Sequence, residues 1–194
     1  FFQNIQILTP TKKGLLGTKE LNKELQAYLN PNLDGRPEKS NSGAIYRTGD
    51  RIMHIKNNYD MTWDRENDDG KTEYGEGIFN GEFGTITEIN EKNKIVEVKF
   101  DDNKVAWYEF SELDQIEHSY AITIHKSQGQ TYKNIICDIN RCFASGQAYV
   151  ALSRCSSLNG LHLRGNINRA SIQVDSNVLN FYHSQLTNKN NGLT

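Results

Sequence analysis

The sequence predicts an α/β domain interrupted by a small antiparallel β-barrel. Three observations carry that expectation. The chain opens on a strand, a loop and a helix, with Ile5-Gln6-Ile7-Leu8 followed by residues 18–29. Between Tyr46 and Leu113 it changes to short strands joined by tight polar turns, with few helical signals. After residue 116 the α/β pattern resumes, with a core strand at 134–139, a helix at 146–154 and a last short strand at 161–163. Alternating strand and helix argues for a sheet covered by helices, and the run of short strands argues for a barrel.

Taken in order, the first strand is closed by Thr9-Pro10, since proline biases the residue before it towards extended backbone. Thr18 is placed to cap a helix that Asn30-Pro31 stops. Leu21, Leu25, Tyr28 and Leu29 recur at helical spacing and are expected to face a core. Residues 32–44 are polar and rich in turn formers, which reads as an exposed loop. A strand is expected around residues 51–56. Residues 60–76 are acidic and punctuated by glycine, the pattern of a mobile insertion. Phe79-Asn80-Gly81 marks a tight turn, and strands follow at 83–89, 94–100 and 105–110. In the second of these Val96, Val98 and Phe100 alternate with Ile95, Glu97 and Lys99, as in a half-buried strand. The polar chain from Asn188 should fray. Residues 1–45, 46–115 and 116–187 are thereby assigned to the first part of the α/β domain, the barrel and the second part.

Composition excludes some readings. The chain has 22 Lys and Arg against 24 Asp and Glu, a net charge of −2, so nucleic acid could be held only by a local patch. It has no apolar run long enough to span a bilayer and no signal peptide, so no membrane partner is expected. Cys137, Cys142 and Cys155 are odd in number and lack metal-ligand spacing, which points to reduced, cytoplasmic thiols and no metal site. No Gly-x-x-x-x-Gly-Lys-Ser/Thr phosphate loop occurs. Phe1-Phe2-Gln3 runs almost directly into a strand without an initiator Met, as expected of a piece of a longer protein.

One stretch concentrates chemistry. In Ser119-Tyr-Ala-Ile-Thr-Ile-His-Lys-Ser-Gln-Gly-Gln130, Thr123, His125, Lys126, Ser127 and Gln128 set hydroxyl, imidazole, ammonium and amide groups side by side. Gly129 lets the backbone leave in a conformation other residues resist. With Ser119 as N-cap this reads as a short helix ending at the glycine. A strand running into a loop is the alternative, because Ala-Ile-Thr-Ile can also alternate.

Thr-Ile-His-Lys-Ser-Gln-Gly129 closely resembles motif V of superfamily 1 DNA helicases of the RecD-like and PIF-type branch. Gln147-Ala-Tyr-Val-Ala-Leu-Ser-Arg154 resembles motif VI of the same proteins, in the same order and spacing. The opening strand, loop and helix are similar to their motif IV region, including Gly17-Thr18 and Leu21-Asn22. The block 46–60 with 77–113, with Phe79-Asn-Gly-Glu-Phe-Gly84, resembles the SH3-like barrel inserted into their second RecA-like domain, and residues 172–182 are similar to the C-terminal helix of the PIF-type proteins.

The resemblance implies a RecA-like parallel-sheet domain interrupted by an SH3-like barrel, part of a helicase that couples ATP hydrolysis to movement along single-stranded DNA. It implies Arg154 as the catalytic arginine finger. Gly129, Gln130 and Gln147 fall on the nucleotide side, and Thr123, His125, Lys126 and Gln128 on the nucleic-acid side, with Gln128 able to face either. ATP and Mg²⁺ are implied for the full-length protein, and its N-terminal RecA-like domain and single-stranded DNA are the implied partners. Without a phosphate loop or Mg²⁺-binding Asp-Glu motif, this chain alone should not hydrolyse ATP. The competing expectation is a stand-alone module that grips single-stranded nucleic acid or protein without catalysis, which the balanced charge favours.

Overall fold

A computed structural model of the chain describes residues 5–167 and 169–191, with side chains through residue 185. Phe1–Gln3, and the end of the tail expected to fray, lie outside them. In chain order the elements are β1 (Ile5–Thr9), α1 (Thr18–Leu29), β2 (Glu38–Asn41), β3 (Ala44–Arg47), β4 (Arg51–His54), β5 (Asn58–Glu66) and β6 (Thr72–Ile78). Then come β7 (Phe83–Asn90), β8 (Ile95–Phe100), β9 (Val105–Glu109), β10 (Ile116–His118) and β11 (Ala121–Thr123). The chain ends with β12 (Asn134–Cys137), α2 (Gln147–Leu152), β13 (Leu161–Leu163) and α3 (Ser176–Asn191).

The chain divides into two compact units, one of residues 13–122 and one formed by its first dozen residues with those from 123 onward. In the discontinuous unit β1, β12 and β13 run parallel, with Ile5 opposite Asn134 and Ile135 opposite Leu161. Leu8, Ile124, Ile135, Ile139, Ala148 and Ala151 are buried there.

The other unit is built on a seven-stranded sheet in the order β10-β4-β7-β8-β9-β5-β6, antiparallel at every pairing. Its two ends do not pair with each other, so the sheet is open where a closed barrel was expected. Val96, Val98 and Phe100 point into the core with Ile52, Ile78, Ile86, Tyr108 and Leu113, as the alternation requires. Fully burying one such side chain is worth about 1.5–3 kcal/mol.

Three local expectations are corrected. Residues 32–44 are not all loop, because β2 and β3 pair as a short hairpin closed by Ser42-Gly43 at positive φ. The acidic segment 60–76 is an ordered hairpin of β5 and β6, turned by Asn67-Asp68-Asp69-Gly70 with Gly70 at φ +74°. The third correction concerns α1, where Asn22 and Gln26 are the buried residues and Tyr28 is 85% exposed.

Asn22, Gln26 and Asn30 recur every four residues and so share one face of the helix. Asn22 donates to the carbonyls of His118 and Ala121 and accepts from the Ala121 N–H at 2.7 Å. Gln26 and Asn30 donate to the carboxylate of Asp50 at 2.6 and 2.8 Å. That carboxylate is fully buried, and it also accepts from the Tyr120 hydroxyl at 2.8 Å and the Arg47 N–H, with His118 Nε2 at 3.0 Å. Burial acts to raise the Asp50 carboxyl, but hydrogen bonds and charge from His118, with hydrogen bonds from Asn30 and Tyr120, hold it below the ordinary range.

His54 is fully buried, with Nδ1 2.8 Å from the Tyr108 hydroxyl. Burial, with the nearby Lys104 charge, pushes its imidazole down to about 4. The unfolded chain therefore takes up a proton near pH 6.5 that the folded chain refuses. Stability from this group is complete above pH 6.5 and is expected to fall by about 3 kcal/mol as the pH drops from 6.5 to 4. Urea melts across that window should show the loss, and His54→Gln should remove this part of the slope.

Candidate functional site

The stretch singled out in the sequence is a strand running into a loop, the alternative rather than the helix. Ile122, Thr123 and Ile124 are all buried, which suits a strand entering a core better than an exposed helix. A single 3₁₀ turn, Ile124–Ser127, follows β11, and its N-cap is Thr123 rather than Ser119. The Thr123 hydroxyl accepts from Lys126 N–H at 3.4 Å, and buried Ser127 donates to the Ile124 carbonyl at 2.7 Å. These bonds fix the turn from within. His125 and Gln128 are thereby left exposed, with Lys126 half-buried. Gly129 has φ +80°, and a Cβ there would meet nothing within 4 Å, so glycine is required by the backbone turn.

The second stretch forms α2, whose N-cap is Gly146 at φ +75°. Gln147, Ala148 and Ala151 face the core, while Tyr149 is 73% exposed. Gln147 is a clamp. Its carbonyl oxygen accepts from the N–H groups of Phe143 and Ala144, and its amide donates to the Pro10 carbonyl at 3.4 Å. It thus ties the start of α2 to the end of β1 and is 4% exposed.

Arg154 connects the two stretches. Its Nη1 donates to the Gln130 carbonyl at 3.2 Å, Nε to the Val150 carbonyl at 3.2 Å and Nη2 to the Ser153 hydroxyl at 3.0 Å. Beside it Tyr132 N–H donates to the Arg154 carbonyl at 2.8 Å, and Ser156 N–H to the Tyr132 carbonyl. All its hydrogen-bond partners are uncharged, and among the described residues no carboxylate forms an ion pair with it. The guanidinium presents a positioned, planar fork, which suits an oxyanion.

Among the described residues no phosphate cradle is built. The sequence has no phosphate loop, and among the described residues no group of three or more His, Cys, Asp or Glu could hold a metal ion. The residues present therefore do not by themselves fit a nucleotide with its Mg²⁺.

Residues 21–100 match the family of the SH3 domain of ATP-dependent RecD-like DNA helicases. An ATP-dependent DNA helicase Pif1 of Bdellovibrio bacteriovorus is 34% identical over 151 residues, covering 71% of this chain and 31% of that protein. The chain resembles a fragment of a Pif1/RecD-like superfamily 1 helicase. A Pif1 of Campylobacter jejuni is 32% identical over 167 residues, covering 70% of the chain and 34% of that protein. The chain thus spans about a third of the length of these curated Pif1 relatives. Bacteroides Pif1 bound to single-stranded DNA matches 96% of the chain and 46% of its own, with a TM-score of 0.63 at 20% identity. A Pif1 structure described as two coordinating helicases at forked duplex DNA matches 97% of the chain and 45% of its own, with a TM-score of 0.66 at 22% identity. At such identities the likeness to the Pif1 structures speaks for the fold alone.

Some residues were invisible to sequence reasoning. Asp50, His118 and Tyr120 form the polar centre of their unit, yet nothing in the sequence around His118 marks it as Asp50's partner 68 residues away. Its only local signal was its place just before Ser119-Tyr120.

Proposed function

We propose that this chain is the second RecA-like motor domain, with its inserted SH3-like barrel, of an ATP-dependent DNA helicase that moves on single-stranded DNA and unwinds duplex. The observation that carries the reading is Arg154, an arginine with no neutralising carboxylate, bonded to the Gln130 carbonyl just beyond the exposed His125 and Gln128. Residues 1–45 and 116–187 are assigned to the motor domain and 46–115 to the barrel, although residues 13–45 and 116–122 belong to the same compact unit as the seven-stranded sheet.

Arg154 reaches the γ-phosphate of a nucleotide held by the other RecA-like domain of the same polypeptide, which supplies the phosphate loop and the Mg²⁺ ligands. Its fork stabilises charge spreading over the transferred phosphoryl oxygens. Gln147 holds the helix that carries it. Gly129 and Gln130 form the turn through which occupancy of the DNA track shifts Arg154. His125 and Lys126 face DNA, the imidazole against a base or phosphate and the ammonium against phosphate, with Gln128 beside them. Thr123 supports that turn through its cap rather than by presenting its hydroxyl, since it is 7% exposed.

The rival is a binding module without a motor, favoured by the net charge of −2. A pure binder has no use for a phosphate-facing arginine. Single-stranded DNA should bind the chain weakly, with affinity falling as salt rises. His125→Ala and Lys126→Ala are each expected to weaken it by about 1–3 kcal/mol if bases stack there. Fluorescence anisotropy at two salt concentrations measures this. Unchanged affinity in both variants would make the turn an ordinary solvated surface.

A further inference from the structure

The acidic hairpin of β5 and β6 has no role in the reading above. β6 ends the sheet, paired to β5 on one side and, among the described residues, to no strand on the other. The phase of its ladder can be fixed. Asn67 N–H donates to the Lys71 carbonyl at 2.9 Å, and Arg65 stands opposite Glu73 and Trp63 opposite Gly75. Hydrogen-bonded and open pairs alternate along an antiparallel ladder. Thr72, Tyr74 and Glu76 therefore turn their N–H and C=O groups away from β5. Tyr74 is 77% exposed, and Thr72 and Glu76 are exposed beside it. Gly75 cannot gain a side chain, since a Cβ would lie 2.3 Å from the Trp63 ring, so the edge stays narrow there.

Charge selects the occupant. Residues 58–78 hold seven carboxylates against Arg65 and Lys71. Arg65 pairs with Glu73 at 2.6 Å and Lys71 with Asp69 at 3.1 Å. Asp60, Asp64, Glu66, Asp68 and Glu76 remain as surplus negative charge around the open edge. A nucleic-acid backbone is repelled by such a surface. A basic strand is not.

We propose that the β6 edge is a docking site for an extended, Lys/Arg-rich segment of a partner protein, which adds to the sheet as an eighth strand. Main-chain bonds to Thr72, Tyr74 and Glu76 supply the register, and the surrounding carboxylates supply selectivity. The site does not depend on the helicase reading.

The probe is a ten-residue peptide of alternating Lys and Val, followed by backbone amide shifts and by hydrogen exchange of β6. Binding should protect the outward amides of Thr72, Tyr74 and Glu76. N-methylation of alternate peptide amides should weaken binding roughly tenfold or more, and a Glu-Val peptide should not bind. The double variant Glu66→Lys, Glu76→Lys should lose a similar factor, and Tyr74→Pro should lose binding while leaving the β5 ladder intact, because proline is tolerated at an edge position facing solvent. Equal binding of the N-methylated peptide, which alters no residue of the protein, would reduce the contact to charge and overturn strand addition. No binding at millimolar peptide would leave the carboxylates as a guard against edge-to-edge pairing and overturn the site. Displacement of the peptide by a single-stranded oligonucleotide would make the edge a nucleic-acid surface, equally against the proposal.

Discussion

Asp50→Ala is expected to remove about 3–5 kcal/mol of stability from the unit that contains it. The carboxylate has zero exposure and satisfies Gln26, Asn30, Tyr120 and the Arg47 N–H, with His118 at 3.0 Å. Truncation leaves these donors facing a cavity that apolar neighbours cannot fill. A smaller loss is expected for Asp50→Asn, which keeps the shape and one acceptor but points an amide at groups that themselves donate. The folded carboxyl sits below its ordinary range, so its contribution is present above that range and is lost on acidification. Wild type should therefore weaken as the acid range is entered, and Asp50→Ala should lack that part of the slope. Urea melts of the three proteins between pH 7 and pH 3 would measure both effects.

Arg154→Lys in the complete polypeptide is expected to lower ATP turnover by roughly 10³-fold or more, almost as far as Arg154→Ala. Lysine keeps the charge but not the planar fork that here spans the Gln130 carbonyl, the Val150 carbonyl and the Ser153 hydroxyl. Nucleotide affinity should change less than turnover, because the contact matters most as charge develops on the phosphoryl oxygens. Folding should survive both changes, since the side chain is only half-buried beyond the end of α2. DNA-stimulated ATPase kinetics beside a thermal melt separate the cases. Turnover of the lysine variant within a few-fold of wild type would remove the arginine from the chemistry.

How much of this was legible depends on the range of the forces. β8 could be read from Ile95 to Phe100, because alternation is a property of adjacent residues. The stretch from Ala121 to Ser127 was ambiguous, because four residues of Ala-Ile-Thr-Ile satisfy helix and strand alike. Burial of Ile122 and Ile124 together resolved it towards strand. The leucines of α1 lie at helical spacing and the helix formed, yet its buried residues are Asn22 and Gln26. Their partners are 99 and 24 positions away, and no local pattern signals a polar side chain that will be satisfied at that separation. The acidic hairpin was misread for another reason. Charge and glycine are shared by loops and by hairpin tips, and the turn at Asn67–Gly70 was outweighed by composition. In the site, Arg154 and the 123–130 turn stood out only as motif-like strings. That Arg154 bonds the Gln130 carbonyl required the fold.

The role proposed for Arg154 is to act on a nucleotide bound elsewhere in the same polypeptide. The most direct measurement is ATP turnover by the complete polypeptide and by this chain alone, each with and without single-stranded DNA. Turnover that single-stranded DNA stimulates is expected in the complete polypeptide, and only background in the chain. Robust turnover by the chain alone, or a complete polypeptide whose ATPase ignores single-stranded DNA, would contradict that role.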